Sequence, residues 1–149
     1  MVHSLGMVLY TLGFIFDPTM ERIVLMEKQR PVWQRGKLNG VGGKLEKGET
    51  GVACMVRETR EECGINSEES AWTHIAVMTG GDWRVDVFGH IAKKAQPIVC
   101  AREDEGKVDW YEIAAIPENA LSNVPWLVHL AKDKLRNKKF HQCEIVYSQ

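Results

Sequence analysis

The fold of this chain is decided by the stretch Gly43-Lys-Leu-Glu-Lys-Gly-Glu-Thr-Gly-Val-Ala-Cys-Met-Val-Arg-Glu-Thr-Arg-Glu-Glu-Cys-Gly-Ile65. Within it, Glu58, Glu61 and Glu62 are spaced i, i+3 and i+4, so in a helix their carboxylates project from one side. Like charges at this spacing destabilise a helix by roughly 0.2–0.5 kcal/mol per pair. All-oxygen ligands select a hard cation, so the spacing predicts a site for Mg²⁺ or Mn²⁺.

An apolar stripe indicates a helix from about Thr50 to Cys63. The stripe recurs at i, i+4, i+7 and i+11 and consists of Val52, Val56, Thr59 and Cys63. At about 100° per residue, the carboxylates are expected to point roughly opposite this stripe. Gly64 follows as a stop signal, because glycine adopts the left-handed C-terminal conformation without penalty.

The surroundings of the carboxylates favour a built site over a solvated acidic helix face, which is the usual meaning of a charge run. Arg57 directly precedes Glu58 and lies four residues before Glu61, so its guanidinium can pair with a carboxylate and hold it in place. Glycines upstream allow tight turns and leave carbonyls free near the helix start. They are Gly40, Gly42, Gly43 and Gly48.

This stretch resembles the Nudix box of the Nudix hydrolase superfamily. That signature is Gly, five residues, Glu, seven residues, Arg-Glu, an apolar residue, any residue, Glu-Glu, any residue, Gly and an apolar residue. The positions that meet it are Gly43, Glu49, Arg57, Glu58, Glu61, Glu62, Gly64 and Ile65. Thr59 departs from the pattern at an apolar position, where its methyl group can still pack.

The resemblance implies roles for the box residues. The expected metal ligands are Glu58, Glu61 and Glu62, with the Gly43 carbonyl as a further oxygen donor. Arg57 is expected to orient Glu58, so that Arg57, Glu58 and Glu61 form the catalytic group, with Glu58 as the candidate base. Glu49 is expected to pair with Arg57.

A further acidic ligand often comes from a later loop in this superfamily. Glu103, Asp104 and Glu105 are available here, and Glu105, five residues before Trp110, is the best placed by similarity. The alternative is that Glu105 is an exposed loop acid.

Outside the box, the chain is similar to the MutT-type branch of 8-oxo-dGTPases. The similarity is carried by Tyr10-Thr11-Leu12, Asn39-Gly40-Val41-Gly42-Gly43-Lys44, Trp110, Ile116-Pro117 and Trp126. It implies that Asn39 hydrogen-bonds a purine edge, while Trp33 and Trp83 lie near the base, where stacking contributes ~1–3 kcal/mol per base. Two alternatives stay open: Trp33 covers the sheet, and Asn39 belongs to an Asn-Gly turn.

The same comparison adds Thr11 and Asn123 to the expected substrate-binding residues. The mammalian member of this branch has two aspartates before its late helix that read the oxidised base. The matching stretch here is Ser122-Asn123-Val124-Pro125, which has no acid. Asn123 can still contact a base, but selectivity for oxidised guanine does not follow from the sequence.

Length and composition set the class of protein. A chain of 149 residues fits one domain, residues 1–149, with a sizeable core. Its net charge of −1 gives no field that would attract a nucleic-acid polymer. The four cysteines lack zinc-site spacing, so reduced thiols in a cytoplasmic protein are the simplest account. No apolar run approaches the ~20 residues of a membrane span, and no signal peptide is expected.

The rest of the chain alternates strand and helix patterns. The predicted strands are Met7–Phe16, Arg22–Glu27, Trp72–Thr79, Trp83–Ala92, Val108–Ile113 and an edge strand over Phe140–Tyr147. A polar loop is expected over Lys28–Lys37, and a late helix over Val124–Arg136 with Trp126, Leu127, Leu130 and Leu135 as its apolar side. This order predicts an α/β fold, and the resemblance implies a Nudix-type α/β/α sandwich with a mixed sheet.

Three functions follow as alternatives. The first is metal-dependent hydrolysis of a (deoxy)nucleoside triphosphate to a monophosphate and pyrophosphate, with sanitising of oxidised purine nucleotides as one form of it. The second is hydrolysis of another diphosphate, such as ADP-ribose or a dinucleoside polyphosphate. The third is a non-catalytic nucleotide-binding module on the same fold. Such modules usually have lost one of the carboxylates of the box. The partner is a small nucleotide in each case, and the chain is expected to be a monomer or a homodimer.

Overall fold

The computed structural model describes residues 6–99, 106–137, 139 and 142–148. In these ranges the chain forms eight strands and two α-helices. The strands are β1 (Val8–Phe16), β2 (Arg22–Glu27), β3 (Leu38–Asn39), β4 (Val41–Lys44), β5 (Thr73–Thr79), β6 (Trp83–Ile91), β7 (Val108–Glu112) and β8 (Cys143–Val146). The helices are α1 (Gly51–Cys63) and α2 (Val124–Arg136).

The apolar strand β1 lies at the centre of a mixed sheet. It pairs in parallel with β6 along its full length, and antiparallel on its other edge with β4 and, at Phe16, with β2. The sheet order is β3-β2-β1-β6-β5-β8, with β4 also pairing β1 and β7 pairing β2. Burial on both faces is confirmed from Thr11 to Phe16, whereas Leu9 and Tyr10 near the start of β1 are exposed.

Two apolar clusters fill the space between the sheet and the helices. Ile15 of β1 packs in the cluster that contains Met55 of α1, while Phe14 and Phe16 pack in the cluster that contains Leu127 of α2. Neighbouring side chains of a strand point to opposite faces, so α1 and α2 cover opposite sides of the sheet. The predicted α/β/α sandwich is confirmed.

Helix α1 has the predicted bounds to within one residue, because its capping signals are used. The Thr50 side chain accepts a hydrogen bond from Ala53 N–H at 3.2 Å, and Gly64 closes the helix in the left-handed conformation with φ of 67°. The buried residues of α1 are Cys54, Met55, Glu58, Thr59, Glu62 and Cys63.

The expected orientation of the carboxylates on α1 is wrong for Glu58 and Glu62, whereas the Glu61 side chain is partly exposed. Glu58 and Glu62 lie on the buried side of the helix rather than opposite it, while Val52 and Val56 are only half-buried. The physical reason is that α1 packs on the glycine-containing strand β4, which brings backbone polar groups against this face of the helix.

Helix α2 has the predicted bounds, but its apolar side is rotated. Its buried residues are Val124, Leu127, Val128 and Ala131, which recur at i, i+3, i+4 and i+7. Leu130 and Leu135 are partly buried against the core, whereas Trp126 is 44% exposed. Including Trp126 in the apolar side was therefore wrong.

The remaining strands match their predictions to within a residue at most ends, with two exceptions. The short strands β3 and β4 were not predicted, because Asn39 and glycines interrupt any alternating pattern there. The predicted edge strand is confirmed over Cys143–Val146, where β8 pairs with β5 at the end of the sheet; residues 140 and 141 lie outside the described residues. Within the described ranges, no helix combines the length and apolar character required to cross a membrane.

Candidate functional site

Strand β4 brings the backbone against the buried carboxylates of α1. Gly42 N–H donates a hydrogen bond to Glu62 Oε1 at 3.0 Å, and Glu62 is only 1% exposed. Gly42 has a φ of 150°, and a Cβ atom built on it would lie 2.1 Å from the Thr11 carbonyl oxygen. Glycine is required at this position, because a side chain would separate β4 from β1.

Gly43 provides the corresponding close approach to Glu58. A Cβ atom on Gly43 would lie 2.9 Å from Glu58 Cδ and 3.0 and 3.1 Å from its two carboxylate oxygens. Glu58 itself is 6% exposed. The backbone of β4 and the carboxylate of Glu58 therefore meet so closely that a side chain at residue 43 would displace this carboxylate.

Arg57 joins three box carboxylates, which include the expected partners Glu49 and Glu58. Its Nε and Nη2 atoms donate to Glu49 Oε2 at 2.8 Å and Oε1 at 2.9 Å, which is a bidentate pair. Its Nη1 atom donates to Glu58 Oε1 at 2.6 Å and to Glu61 Oε2 at 3.3 Å. The planar guanidinium thus fixes Glu49, Glu58 and Glu61 relative to one another.

The ion pair around Arg57 changes the titration of its partners. The hydrogen bond from Arg57 lowers the pKa of Glu49 to about 2, despite the opposing effect of burial. The hydrogen bond to Glu49 in turn raises the pKa of Arg57, with Glu58 contributing in the same direction. Both groups are therefore charged at neutral pH, and the pair is a fixed element of the site.

The donor set suits a hard divalent cation in its chemistry. Carboxylate oxygens of Glu58, Glu61 and Glu62 and the carbonyl of Gly43 are the ligand types that Mg²⁺ prefers. Among the described residues, no three His, Cys, Asp or Glu side chains already stand in a metal-binding group. In the present arrangement Glu58 is held by Arg57 and Glu62 by Gly42 N–H, so a cation would have to compete with these contacts.

A cavity of about 1230 Å³ opens beside the buried carboxylates. Its lining includes Gly43, Arg57, Glu58 and Glu62 at one part of the wall. The same lining contains all five residues predicted to bind substrate, which are Thr11, Trp33, Asn39, Trp83 and Asn123. The structure therefore brings the box and the predicted base contacts together around one space, whereas Glu61 is not part of the lining.

The predicted base contacts differ in how their side chains are engaged. Trp33 is 69% exposed on a short 3-10 turn, so it does not cover the sheet. Asn39 lies in strand β3 rather than in a turn, and its Oδ1 accepts a hydrogen bond from Gly40 N–H at 2.8 Å. Thr11 is buried, and its hydroxyl donates to Cys54 Sγ of α1 at 3.3 Å. Contact of these residues with a substrate stays a prediction.

Two residues, one in the cavity wall and one behind it, were absent from the predicted site. Tyr147 follows β8 and contacts both Trp83 and Asn123. Cys54 lies behind the cavity wall, where burial raises the pKa of its thiol to about 11. Sequence spacing gave no signal for Tyr147, because only the pairing of β8 with β5 brings it to the site. The predicted ligand Glu105 lies outside the described residues.

Comparison with known proteins gives the class to which this fold and site belong. The model of the NUDIX domain matches residues 9–132. This chain belongs to the Nudix family.

Individual relatives agree with this assignment. The chain is 28% identical over 112 residues to the uncharacterized Nudix hydrolase YvcI of Bacillus subtilis, a match that covers 72% of this chain and 65% of that protein. A mutator MutT protein from Bacillus halodurans has a similar structure, with a TM-score of 0.70, 20% identity and coverage of 95% and 91% of the two chains. An ADP-ribose pyrophosphatase from Streptococcus suis is similar with a TM-score of 0.67, 16% identity and coverage of 92% and 98%.

Proposed function

We propose that this chain is a metal-dependent hydrolase of a nucleoside diphosphate linked to another group, and that its substrate is a (deoxy)nucleoside triphosphate. The products would be a nucleoside monophosphate and pyrophosphate. The observation that carries this proposal is the shared cavity, where Glu58 and Glu62 are buried beside Arg57 and face a space that Trp33 and Asn123 also line.

The metal belongs to this proposal. Nudix hydrolases generally use divalent metal ions. Glu58, Glu61 and Glu62, with the Gly43 carbonyl, would hold Mg²⁺ or Mn²⁺, which when bound neutralises phosphate oxygens and lowers the pKa of a ligated water. Glu105 is a further proposed ligand.

The protein side chains supply positioning and proton transfer. Arg57 holds Glu58 at 2.6 Å and is itself held by both oxygens of Glu49, so the proposed base cannot rotate freely. In the reaction, a water oxygen forms a bond to phosphorus, its proton passes to the Glu58 carboxylate, and the anhydride P–O bond breaks. The bridging oxygen leaves with the departing phosphate group.

The nucleobase of the substrate would bind in the opposite part of the cavity from Glu58. Trp33 and Trp83 offer aromatic faces for stacking, and Asn39 offers an amide to a purine edge. Sanitising of oxidised purine nucleotides is one form of this function, although the stretch Ser122–Pro125 supplies no acid for an oxidised base.

A second candidate function is hydrolysis of a larger diphosphate, such as ADP-ribose or a dinucleoside polyphosphate. The observation that favours it is the size of the cavity, because about 1230 Å³ exceeds the ~300–1,000 Å³ usual for ligand pockets. A non-catalytic module is disfavoured, because no carboxylate of the box is missing. A cytoplasmic location is part of the same proposal, and it agrees with Cys54, Cys63 and Cys143 not being in disulfide bonds.

A substrate panel with Mg²⁺ tests the proposal by separate detection of phosphate, pyrophosphate and nucleoside monophosphate. It should contain dGTP, 8-oxo-dGTP, dATP, dCTP, ADP-ribose and a dinucleoside tetraphosphate. Pyrophosphate release from triphosphates supports the first function, whereas AMP release from ADP-ribose alone supports the second. Glu58→Gln and Glu62→Gln should abolish either activity, and Glu68→Gln, an exposed residue outside the cavity lining, is the matched control.

A further inference from the structure

Tyr147 joins the candidate site from a distant part of the sequence. It follows β8, and its backbone N–H donates to the Thr79 carbonyl at 2.9 Å, continuing the pairing of β8 with β5. Its side chain lines the same cavity as Glu58 and Glu62 and is 41% exposed. A ring that is fixed through its backbone and still open to the cavity can meet a ligand without rearranging the core.

The Tyr147 side chain touches two of the residues predicted to contact the base. Its ring packs against the Trp83 ring with centroids 5.6 Å apart and a tilt of 49°. Its hydroxyl accepts a hydrogen bond from Asn123 Nδ2 at 3.2 Å. The three side chains come from β6, from the start of α2 and from the end of β8, so they form one wall of the cavity.

Asn123 does not use its side chain to cap α2. It occupies the N-cap position of α2, where asparagine usually accepts a hydrogen bond from a helix N–H. Here its side chain makes no capping hydrogen bond and turns toward Tyr147 and Met78. Its Oδ1 atom is buried and has no hydrogen-bond partner among the described residues. An unpaired buried amide oxygen is costly, so a ligand N–H that reaches it after a small side-chain movement would relieve that cost.

We infer that Tyr147 is a specificity-determining residue of the nucleotide site. This inference rests on the proposed function and names the part of the cavity that reads the base. The phenol ring extends the aromatic surface of Trp83 for stacking. The hydroxyl engages the Asn123 amide nitrogen and thereby leaves the amide oxygen for a donor on the base edge.

The test measures the separate contributions of the Tyr147 ring and hydroxyl to binding. It uses nucleoside monophosphates, which are not hydrolysed, so that no metal is needed. Dissociation constants of dGMP, dAMP and dCMP are measured by calorimetry for the wild type, Tyr147→Phe and Tyr147→Leu. Tyr147→Leu should weaken all three ligands by about fivefold to a hundredfold, because stacking is indifferent to the base edge. Tyr147→Phe should keep the stacking and change the ratios between the three ligands by about twofold to tenfold.

A double-mutant cycle checks that the hydroxyl acts through Asn123. Asn123→Ala should shift the same ratios, and adding Tyr147→Phe to it should change them no further. Tm is measured for every variant. If Tyr147 had only a structural role, Tyr147→Phe would lower Tm and would weaken the binding of all three ligands equally. Unchanged ratios in Tyr147→Phe, or additive effects in the cycle, overturn the inference. If the wild type binds none of the three ligands, the nucleotide function and this inference both fail. If the wild type binds them and Tyr147→Phe leaves the ratios between their dissociation constants unchanged, only the inference is overturned.

Discussion

At the scale of the residue, Arg57 is the link between the carboxylate ion pair and the proposed base. Its two nitrogens on one edge hold Glu49, and its third nitrogen holds Glu58. Lysine keeps the charge but has no planar fork, so it cannot make both contacts with the same geometry. We therefore expect Arg57→Lys to lower kcat by about tenfold or more while the fold is retained. Steady-state kinetics and circular dichroism check this, and wild-type kcat in Arg57→Lys would contradict the orienting role.

The titration of Glu49 predicts a defined pH window for stability. Because Arg57 lowers the Glu49 pKa from 4.5 to about 2, the folded protein keeps this carboxylate ionised where the unfolded chain protonates it. The stabilisation is complete above pH 4.5 and is lost as pH falls from 4.5 toward 2. Glu49→Gln should therefore unfold with a weaker pH dependence in this window. Urea unfolding in the presence of chelator measures the free energy of unfolding as a function of pH. If this pH dependence were the same for the wild type and Glu49→Gln, the lowered pKa of Glu49 would be refuted.

Thr59 carries a hydroxyl in a place that suits an apolar side chain. It is 0% exposed, and its Oγ1 atom has no hydrogen-bond partner among the described residues. Valine has the same shape without the hydroxyl, so Thr59→Val should raise the free energy of unfolding by about 1 kcal/mol. Thr59→Ser is the matched control and should lower it by a similar amount, because it keeps the hydroxyl and removes the packed methyl group. Chemical denaturation measures both, and a destabilised Thr59→Val would mean that the hydroxyl has a partner.

At the scale of the element, the two adjacent glycines of β4 have different tasks. A side chain on Gly42 meets the backbone of β1, whereas one on Gly43 meets the carboxylate of Glu58. Gly42→Ala should therefore lower stability by about 1 kcal/mol or more. Gly43→Ala should lower kcat more than it lowers Tm, because it displaces Glu58. Gly48→Ala is the control that measures the cost of a positive φ angle without a steric clash, because nothing lies within 4 Å of a Cβ atom at Gly48. Equal losses of Tm in Gly42→Ala and Gly43→Ala would contradict this division.

The same elements show what the sequence could and could not predict. The bounds of α1, its end at Gly64 and the contacts of Arg57 with Glu58 and Glu61 depend on residues close in sequence, so the spacing was sufficient, whereas the pair of Arg57 with Glu49 was implied by the resemblance. Which side of α1 is buried depends on β4, whose approach is made by glycines that carry no apolar pattern. That is why the burial of Glu58 and Glu62 was not predicted.

At the scale of the whole molecule, the cavity combines parts that no local pattern connects. Tyr147 reaches the cavity because β8 pairs in parallel with β5. Parallel strands are not joined by a hairpin turn, so no turn signal in the sequence predicts that they pair. Asn123 was predicted by resemblance, but its engagement by Tyr147 depends on the packing of α2 beside that edge of the sheet. Long-range strand order therefore limits what can be predicted of the base pocket, whereas the carboxylate side is specified within one short segment.

Binding of Mg²⁺ to the proposed ligands should change the stability of the whole molecule. If Glu58, Glu61 and Glu62 hold Mg²⁺ in the folded state alone, the ion should raise Tm, since a ligand at 100 times its Kd stabilises by about 2.7 kcal/mol. Glu62→Gln keeps an amide oxygen that can accept from Gly42 N–H but loses the charge, so it should fold as the wild type does in chelator.

With Mg²⁺ added, the Tm of Glu62→Gln should rise much less than that of the wild type. Thermal unfolding of the wild type, Glu62→Gln and the exposed control Glu68→Gln is followed across a Mg²⁺ titration, with excess chelator as the reference. Because no substrate is present, this readout tests the cation site separately from the nucleotide site. A full Mg²⁺ shift in Glu62→Gln, or none in the wild type, would place the metal elsewhere or remove it from this helix.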